Sequence, residues 1–286
     1  MNIILFSRKQ VKHNTEQLST ILHEIERYKM DYVVNEDFAE VITLTTGIAI
    51  PHERCYRAKP EATGNDVMIT YGGDGTLLEA VAILPNEDIP VVGINSGRLG
   101  YLTADDGKGI KELFRAINSG ALRFEERLML TVDGIGEELT ALNEISINRH
   151  GSSMISVETL VNDNYVATYH GDGLVIATPT GSTAYSLSAG GPIVDPMCRC
   201  FMLSPIAPHN LTMRPVVVPD SSVITLRIGS REGEAAISAD NRTYTLHDGD
   251  EVRVRLASKR LILAMPHNNT FYDTLREKMM WGVDKR

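Results

Sequence analysis

Residues 66–78 read DVMITYGGDGTLL, and this stretch limits the possible folds more than any other. An apolar run suited to a buried strand (67–71) ends in Gly72-Gly73-Asp74-Gly75, and a helical pattern through Leu77, Leu78 and Val81 begins at once. A strand that passes directly into a helix belongs to a crossover, and crossovers build parallel sheets. The neighbouring residues keep the same rhythm. Residues 3–6 read as a strand, and Leu18, Ile21, Leu22 and Ile25 share one helix face, with Asn14 as N-cap and Gln17 completing a capping box. Residues 90–94 give another strand. Ile110, Leu113, Phe114 and Ile117 give another helix, closed by Gly120.

From about residue 123 the texture changes to short β-rich segments: 128–132, 144–149, 155–161, 166–170, 174–178, 216–218, 223–228, 235–239 and 252–256. Turn signals such as Asn162-Asp163-Asn164 and His247-Asp248-Gly249-Asp250 separate several of them. A short helix is expected after Gly181, and a final helix carries Phe271, Leu275 and Met279 on one face. The 286 residues suffice for two cores. The expected architecture is an α/β N-terminal domain with a parallel sheet (1–122), an all-β, sandwich-like domain (123–265), and a C-terminal helix (266–286) that returns to the first domain.

Composition removes several function classes. Lys and Arg number 28 against 37 Asp and Glu, a formal charge of -9, and no basic run occurs, which argues against nucleic acid as a partner. Anionic substrates must then be met by local backbone N–H groups and metal ions. Three cysteines without a CxxC spacing exclude a disulfide scaffold and fit a reducing compartment. The N-terminal MNIILFSRKQ is too short in apolar residues for a signal peptide, and no run approaches a membrane span. The expectation is a soluble, cytoplasmic protein that engages no membrane.

The glycine turn is the first candidate site. Successive N–H groups at a helix start form an anion nest suited to phosphate. An acid inside such a turn repels that ligand, so Asp74 either does chemistry on a hydroxyl or at Mg²⁺, or simply caps its helix. Neither the Gly-Lys-Ser/Thr phosphate loop nor GxGxxG occurs. The second candidate is residues 170–192, HGDGLVIATPTGSTAYSLSAGGP, with seven hydroxyl side chains between Thr178 and Ser188. These suit ribose oxygens and an adenine amine, and equally suit ordinary turn chemistry. Asn143 and Glu144 open a strand in which alternation separates Asn143, Ile145 and Ile147 from Glu144 and Ser146; a surface Glu beside a turn Asn is the plain reading. Residues 204–209 read as a Pro-bounded loop. Residues 238–242 read as a hairpin tip, with Asn241 at the left-handed position.

Together GGDGT (72–76), INSGRLGYLT (94–103), ALNEISINR (141–149), the GDGLVIATPTGSTAYSLSAGGP block, PIAPHNLTMRP (205–215) and the Ser-x-Asp turn near 240 resemble the NAD kinase family in order and spacing. GGDGT is shared with lipid kinases and, in related form, with phosphofructokinases; the TPTGSTAY block is far more specific. The resemblance implies an α/β domain plus a β-sandwich with NAD between them, subunits packed as homodimers or homotetramers, and ATP-dependent phosphorylation of NAD at the adenosine ribose 2′-hydroxyl. By the same match Asp74 takes the hydroxyl proton and the N–H groups of Gly72, Gly73, Asp74 and Gly75 cradle phosphates. Mg²⁺ or another divalent cation bridges the donor's oxygens, with no protein residue as its ligand. Asn143, Glu144, Asp172, Thr183, Ala184, Tyr185, Ser186, Leu187 and Ser188 hold NAD, and His170, Ala207 and Arg242 align with ligand-lining positions.

Two positions depart from the family's texture. Glu79 stands where members often carry Arg, which puts phosphate contacts from that helix in doubt, and His170 occupies a slot whose type varies and tunes the choice between NAD and NADH. Arg98 offers charge in the loop after residue 94, or is a solvated surface residue. The competing readings are a lipid or sugar kinase using the same turn, against which the acidic composition counts, and a non-catalytic NADP(H)-binding sensor, against which Asp74 counts.

Overall fold

A computed structural model of the chain describes residues 1–97, 100–103, 109–136, 139–266 and 270–282. The first elements alternate strand and helix: β1 (Asn2–Phe6), α1 (Thr15–Arg27), β2 (Asp31–Asn35), α2 (Glu36–Thr46), β3 (Cys55–Tyr56), β4 (Asp66–Tyr71), α3 (Asp74–Ala82), β5 (Val91–Ile94), α4 (Ile110–Ser119) and β6 (Leu122–Arg127). Asn14 caps α1 by accepting the Gln17 N–H at 3.1 Å. The expected reciprocal bond is replaced. Gln17 accepts from the Tyr71 hydroxyl at 2.6 Å, and that hydroxyl takes the Asn14 N–H at 3.2 Å, so a tyrosine from β4 completes the cap. Gly120 ends α4 at φ 68. In α3 the buried face is Thr76, Leu77 and Ala80, whereas Leu78 and Val81 stay half-buried.

Residues 127–260 form a compact unit of their own. It comprises β7 (Leu130–Asp133), β8 (Leu139–Ala141), β9 (Glu144–Arg149), β10 (Ile155–Val161), β11 (Asn164–Gly171), β12 (Gly173–Ala177), a 3-10 turn (Thr180–Thr183), α5 (Tyr185–Ser188), β13 (Cys200–Ile206), β14 (Val216–Pro219), β15 (Ile224–Ser230), β16 (Glu234–Ala239), β17 (Arg242–His247) and β18 (Glu251–Leu256). Two six-stranded sheets result, ordered β11-β10-β15-β18-β7-β8 and β14-β13-β12-β9-β16-β17. Their inward side chains, among them Ile145, Ile147, Leu174, Ile176, Leu226 and Val254, build one apolar core. Each such burial contributes about 1.5–3 kcal/mol.

Residues 204–206, expected in a loop, instead finish β13, with Pro205 opposite Leu174. The proline is tolerated because β14 pairs only with residues 200–203, so β13 has one neighbour at that point and a missing ladder donor costs little. The left-handed residue of the β16–β17 tip is Asp240 (φ 50), in place of Asn241.

The chain then adds β19 (Leu261–Pro266) and α6 (Phe271–Met279), which belong with residues 1–126 in the other compact unit. In α6 the buried residues are Thr274 and Leu275, with Phe271 half-buried and Met279 exposed. The sheet of this unit runs β3-β2-β1-β4-β5-β19-β6, and the pairings from β3 through β19 are parallel. From β1 the chain moves outward through β2 and β3, then restarts on the opposite side of β1 with β4. That reversal makes a topological switch point, and the crevice beyond the carboxyl ends of β1 and β4 is where such sheets bind ligands. Among the described residues no helix is long and apolar enough to cross a membrane.

Candidate active site

The turn after β4 lies at this crevice. Gly73 is the N-cap of α3 and Asp74 its first residue, and no side chain caps the helix. Asp74 therefore does not pin its own helix. Its Oδ2 accepts the Tyr101 N–H at 2.8 Å and its Oδ1 the Leu102 N–H at 3.1 Å, both from the loop after β5. Asn95 and Thr103 fold that loop, with Asn95 Nδ2 donating to Thr103 Oγ1 at 3.1 Å and the Gly100 N–H reaching the same oxygen at 2.8 Å. A Cβ on Gly100 would lie 1.8 Å from Asp74 Oδ1, so only glycine leaves room for the carboxylate. Lys278 of α6 brings its Nζ to 3.9 Å from Asp74 Oδ2 and 4.4 Å from the centre of the Tyr101 ring. Burial holds the Lys278 ammonium below its ordinary value, partly offset by the Asp74 charge.

The turn's four N–H groups are not equivalent. Gly72 donates to Ile94 O at 2.9 Å, so its N–H serves the sheet and is withdrawn from the expected phosphate cradle. Asp74 and Gly75, at the start of α3, have amides without an intrahelical acceptor and sit at the positive end of the helix dipole. Gly72 has φ 154 and a Cβ there would strike Thr76 Oγ1 at 2.3 Å, whereas a Cβ on Gly73 would meet nothing within 4 Å. The space above Gly73 is open. Glu79, one helix turn further on, is paired with Arg8 at 3.0 Å, which neutralises the acid that the sequence placed there. Arg98 lies outside the described residues.

In the β unit, Asn143 precedes β9 and Glu144 opens it. Glu144 is not the surface residue expected. Its Oε2 is buried without a hydrogen-bond partner, and desolvation followed by the Asp240 charge pushes its carboxyl up to about 8, against a backbone N–H bond from Tyr185. Asp240 accepts three N–H bonds, from Leu142 (2.8 Å), Asn143 (2.9 Å) and Glu144 (3.2 Å), yet burial still pushes its carboxyl up. The left-handed tip thus folds back to set the Asn143–Glu144 backbone. Arg242 donates from Nη2 to Thr140 O.

The hydroxyl-rich run is partly structural. Thr178 donates to Leu142 O at 2.6 Å, Ser182 bonds both the N–H and the C=O of Val194, and Ser186 meets Ser204 at 3.0 Å. Thr183 donates to Thr180 O at 3.4 Å, and the exposed Tyr185 donates to Asn148 Oδ1 at 3.1 Å. Ala184 and Leu187 are half-buried and Ser188 is exposed. Asp172 pairs with Arg149 at 2.7 Å, and His170, exposed on β11, accepts the His209 N–H at its carbonyl at 2.8 Å. Ala207 is exposed with φ 42.

Both halves of the chain match known families: residues 7–122 fit the ATP-NAD kinase N-terminal domain and residues 142–264 the ATP-NAD kinase C-terminal domain. A protein named NAD kinase from Flavobacterium psychrophilum is 33% identical over 293 residues, covering 100% of both chains. This chain belongs to the NAD kinase family. Another NAD kinase, from Porphyromonas gingivalis, is 46% identical over 226 residues, 77% of this chain and 78% of that one. Among solved structures, yeast NADH kinase complexed with NADH superposes with a TM-score of 0.86 at 26% identity, over 100% of this chain and 89% of that one. An NAD kinase from Archaeoglobus fulgidus in complex with ATP shares the fold, with a TM-score of 0.76 at 24% identity over 98% and 99%. The lipid- or sugar-kinase reading and the non-catalytic sensor find no support in these matches to the NAD kinase family. Arg8 and Lys278 lie outside the motifs legible in the sequence; a basic residue two positions after the first strand was the available signal for Arg8.

Proposed function

We propose that this chain phosphorylates NAD, transferring the γ-phosphate of ATP to the 2′-hydroxyl of the adenosine ribose to give NADP and ADP. The observation that carries the reading is Asp74: a carboxylate held by two backbone N–H bonds, beside helix-start amides, at the switch point of a parallel sheet. As the 2′-O–P bond forms and the bridging P–O bond to ADP breaks, the hydroxyl proton passes to an Asp74 oxygen. Phosphoryl transfer needs positioning and charge neutralisation above all. The amides of Gly73, Asp74 and Gly75 supply part of both.

Asn143, Glu144 and Asp172 hold NAD, together with residues 183–188; His170, Ala207 and Arg242 complete its lining. Glu144, neutral at pH 7, both donates and accepts, and its unpartnered Oε2 fits a polar atom of the ligand. The buried Ser186 hydroxyl is already bonded to Ser204. Among the described residues no three His, Cys, Asp or Glu side chains gather at metal-binding distance, and a Mg²⁺ held by phosphates asks for only one or two carboxylates. The divalent cation would enter with the donor substrate and neutralise phosphate charge there. The enzyme is further read as cytoplasmic and as a homodimer or homotetramer, which sedimentation of the purified protein tests.

Incubating purified protein with NAD, ATP and Mg²⁺ and reading NADP through an NADP-specific dehydrogenase decides the activity. A clean preparation that forms none removes the proposal.

A further inference from the structure

We propose that Arg8 binds the polyphosphate of the nucleotide donor, an inference that rests on the kinase reading above. Arg8 is the second residue after β1, and the Gly72-Gly73-Asp74-Gly75 turn follows β4, the two strands between which the sheet reverses. The residue and the turn therefore flank the crevice where ligands of such sheets sit. The side chain is set in place from both sides of its fork: Nε donates to Thr76 Oγ1 at 3.3 Å and Nη1 to Glu79 at 3.0 Å.

Those two bonds leave Nη2 without an acceptor among the described residues, and Nη2 is the atom laid against the turn. A Cβ built on Gly75 would stand 3.2 Å from it. Gly75 has no positive φ, and a Cβ there would need the guanidinium to give by a few tenths of an ångström. The ion pair itself is about a third exposed on the Arg8 side and 40% on the Glu79 side, a setting in which such pairs add little to stability. What it does is orient. A guanidinium oriented before the ligand arrives, with both Nη2 hydrogens left to donate, is suited to phosphate oxygens.

The charge arithmetic points the same way. A chain of formal charge -9 repels a nucleoside triphosphate. The amides of the turn offer partial charge only, and Lys278 stands against Asp74, on the acceptor's side of the chemistry. Among the described residues, Arg8 brings a full positive charge beside the turn at Gly75. Gly72 enters this arrangement too, because a Cβ there would strike Thr76 Oγ1, the oxygen that holds Nε.

Two measurements on wild type, Arg8→Ala and Arg8→Lys test the assignment: steady-state KM for ATP and for NAD, and calorimetric titration with inorganic tripolyphosphate. In Arg8→Ala the KM for ATP should rise tenfold or more while that for NAD stays within about twofold, and tripolyphosphate binding should weaken by a similar factor. Arg8→Lys, which keeps the charge and loses the fork, should fall between; it also serves if the alanine variant folds poorly. An unchanged KM for ATP in a folded Arg8→Ala protein overturns the inference, as does a rise confined to the KM for NAD. If wild type makes no NADP, the kinase reading fails separately, and tripolyphosphate binding alone still decides Arg8.

Discussion

The chain contains Gly-Asp-Gly twice, at residues 73–75 and 171–173, and the two copies are built to opposite ends. Around Asp172 both glycines are forced by packing: a Cβ would lie 2.7 Å from Ala207 O at Gly171 and 2.0 Å from Ile147 O at Gly173. Backbone cannot step aside as a flexible side chain can. Around Asp74 the space is open above Gly73 and bounded only by the Arg8 guanidinium at Gly75. The carboxylates differ in the same sense. Asp74 is gripped by main-chain amides of a folded loop, whereas Asp172 meets one part-exposed arginine. Glycine in one turn lets strands close up; in the other it keeps a volume empty for something to enter.

The largest expected effect separates the two aspartates. Asp74→Asn should lower kcat by about 10²–10⁴-fold, the usual span for losing a general base, with little change in the KM for NAD. Asp172→Asn should raise the KM for NAD and leave kcat within about tenfold. Steady-state kinetics on both variants read this out, and equal losses of kcat would erase the distinction between the turns.

The β unit carries a pH signature of its own. Glu144 is raised from an ordinary 4.5 to about 8, and Asp240 is raised beside it. As pH climbs past 4.5 the unfolded chain releases the Glu144 proton while the fold retains it, so folding is penalised progressively until about pH 8, where both forms are ionised. At roughly 1.4 kcal/mol per pH unit the full interval is worth about 3–5 kcal/mol. Thermal unfolding should therefore shift downward from pH 5 to pH 8, and Glu144→Gln should flatten that slope. A wild-type Tm that rises across the window contradicts the burial of this carboxyl.

Steric demand gives the next contrast. Gly173→Ala should cost about 1–3 kcal/mol, a few degrees in Tm, because strand backbone lies in the way. Gly73→Ala, at φ -93 with open space around it, should stay within about 0.5 kcal/mol of wild type yet raise the KM for ATP. Differential scanning calorimetry with kinetics on the same two proteins tests the pair. Loss of stability in Gly73→Ala would show that its turn is packed after all.

Much of this architecture was legible before any coordinates. Continuous apolar runs mark β1, β4 and β5, which are buried on both faces, and a period of 3.6 marks α1 and α4, which bury one stripe; most of the sandwich strands were likewise legible. What escaped was of three kinds. β2 and α2 (DYVVN, EDFAEVITLTT) bury only part of each face, and β13 hides behind Pro205. Glu144 sits beside Asp240 from the tip after the neighbouring β16, a contact that local alternation cannot contain. Among the described residues, Arg8 beside Gly75 and Lys278 beside Asp74 come from just after β1 and from α6, near the two ends of the chain, and the folded sheet brings them to the turn. Motifs show which residues serve a site; charge balance around it is a tertiary property.

The smallest expected effect tests how Asp172 is held. Its pair with Arg149 has side chains 34% and 45% exposed, so solvent screens it, and removing it should change stability by less than about 1 kcal/mol in denaturant titration. The Arg149 N–H also donates to Asp172 O at 2.9 Å, and that bond survives any side-chain change. Arg149→Leu thus leaves the backbone of the turn in place while freeing the carboxylate to rotate. If Asp172 binds a ribose or base atom of NAD, the KM for NAD should rise about two- to tenfold with kcat unchanged. If instead the second Gly-Asp-Gly serves only the sandwich, Arg149→Leu should leave the KM for NAD where it was, and the contrast between the turns becomes one of catalysis against pure structure.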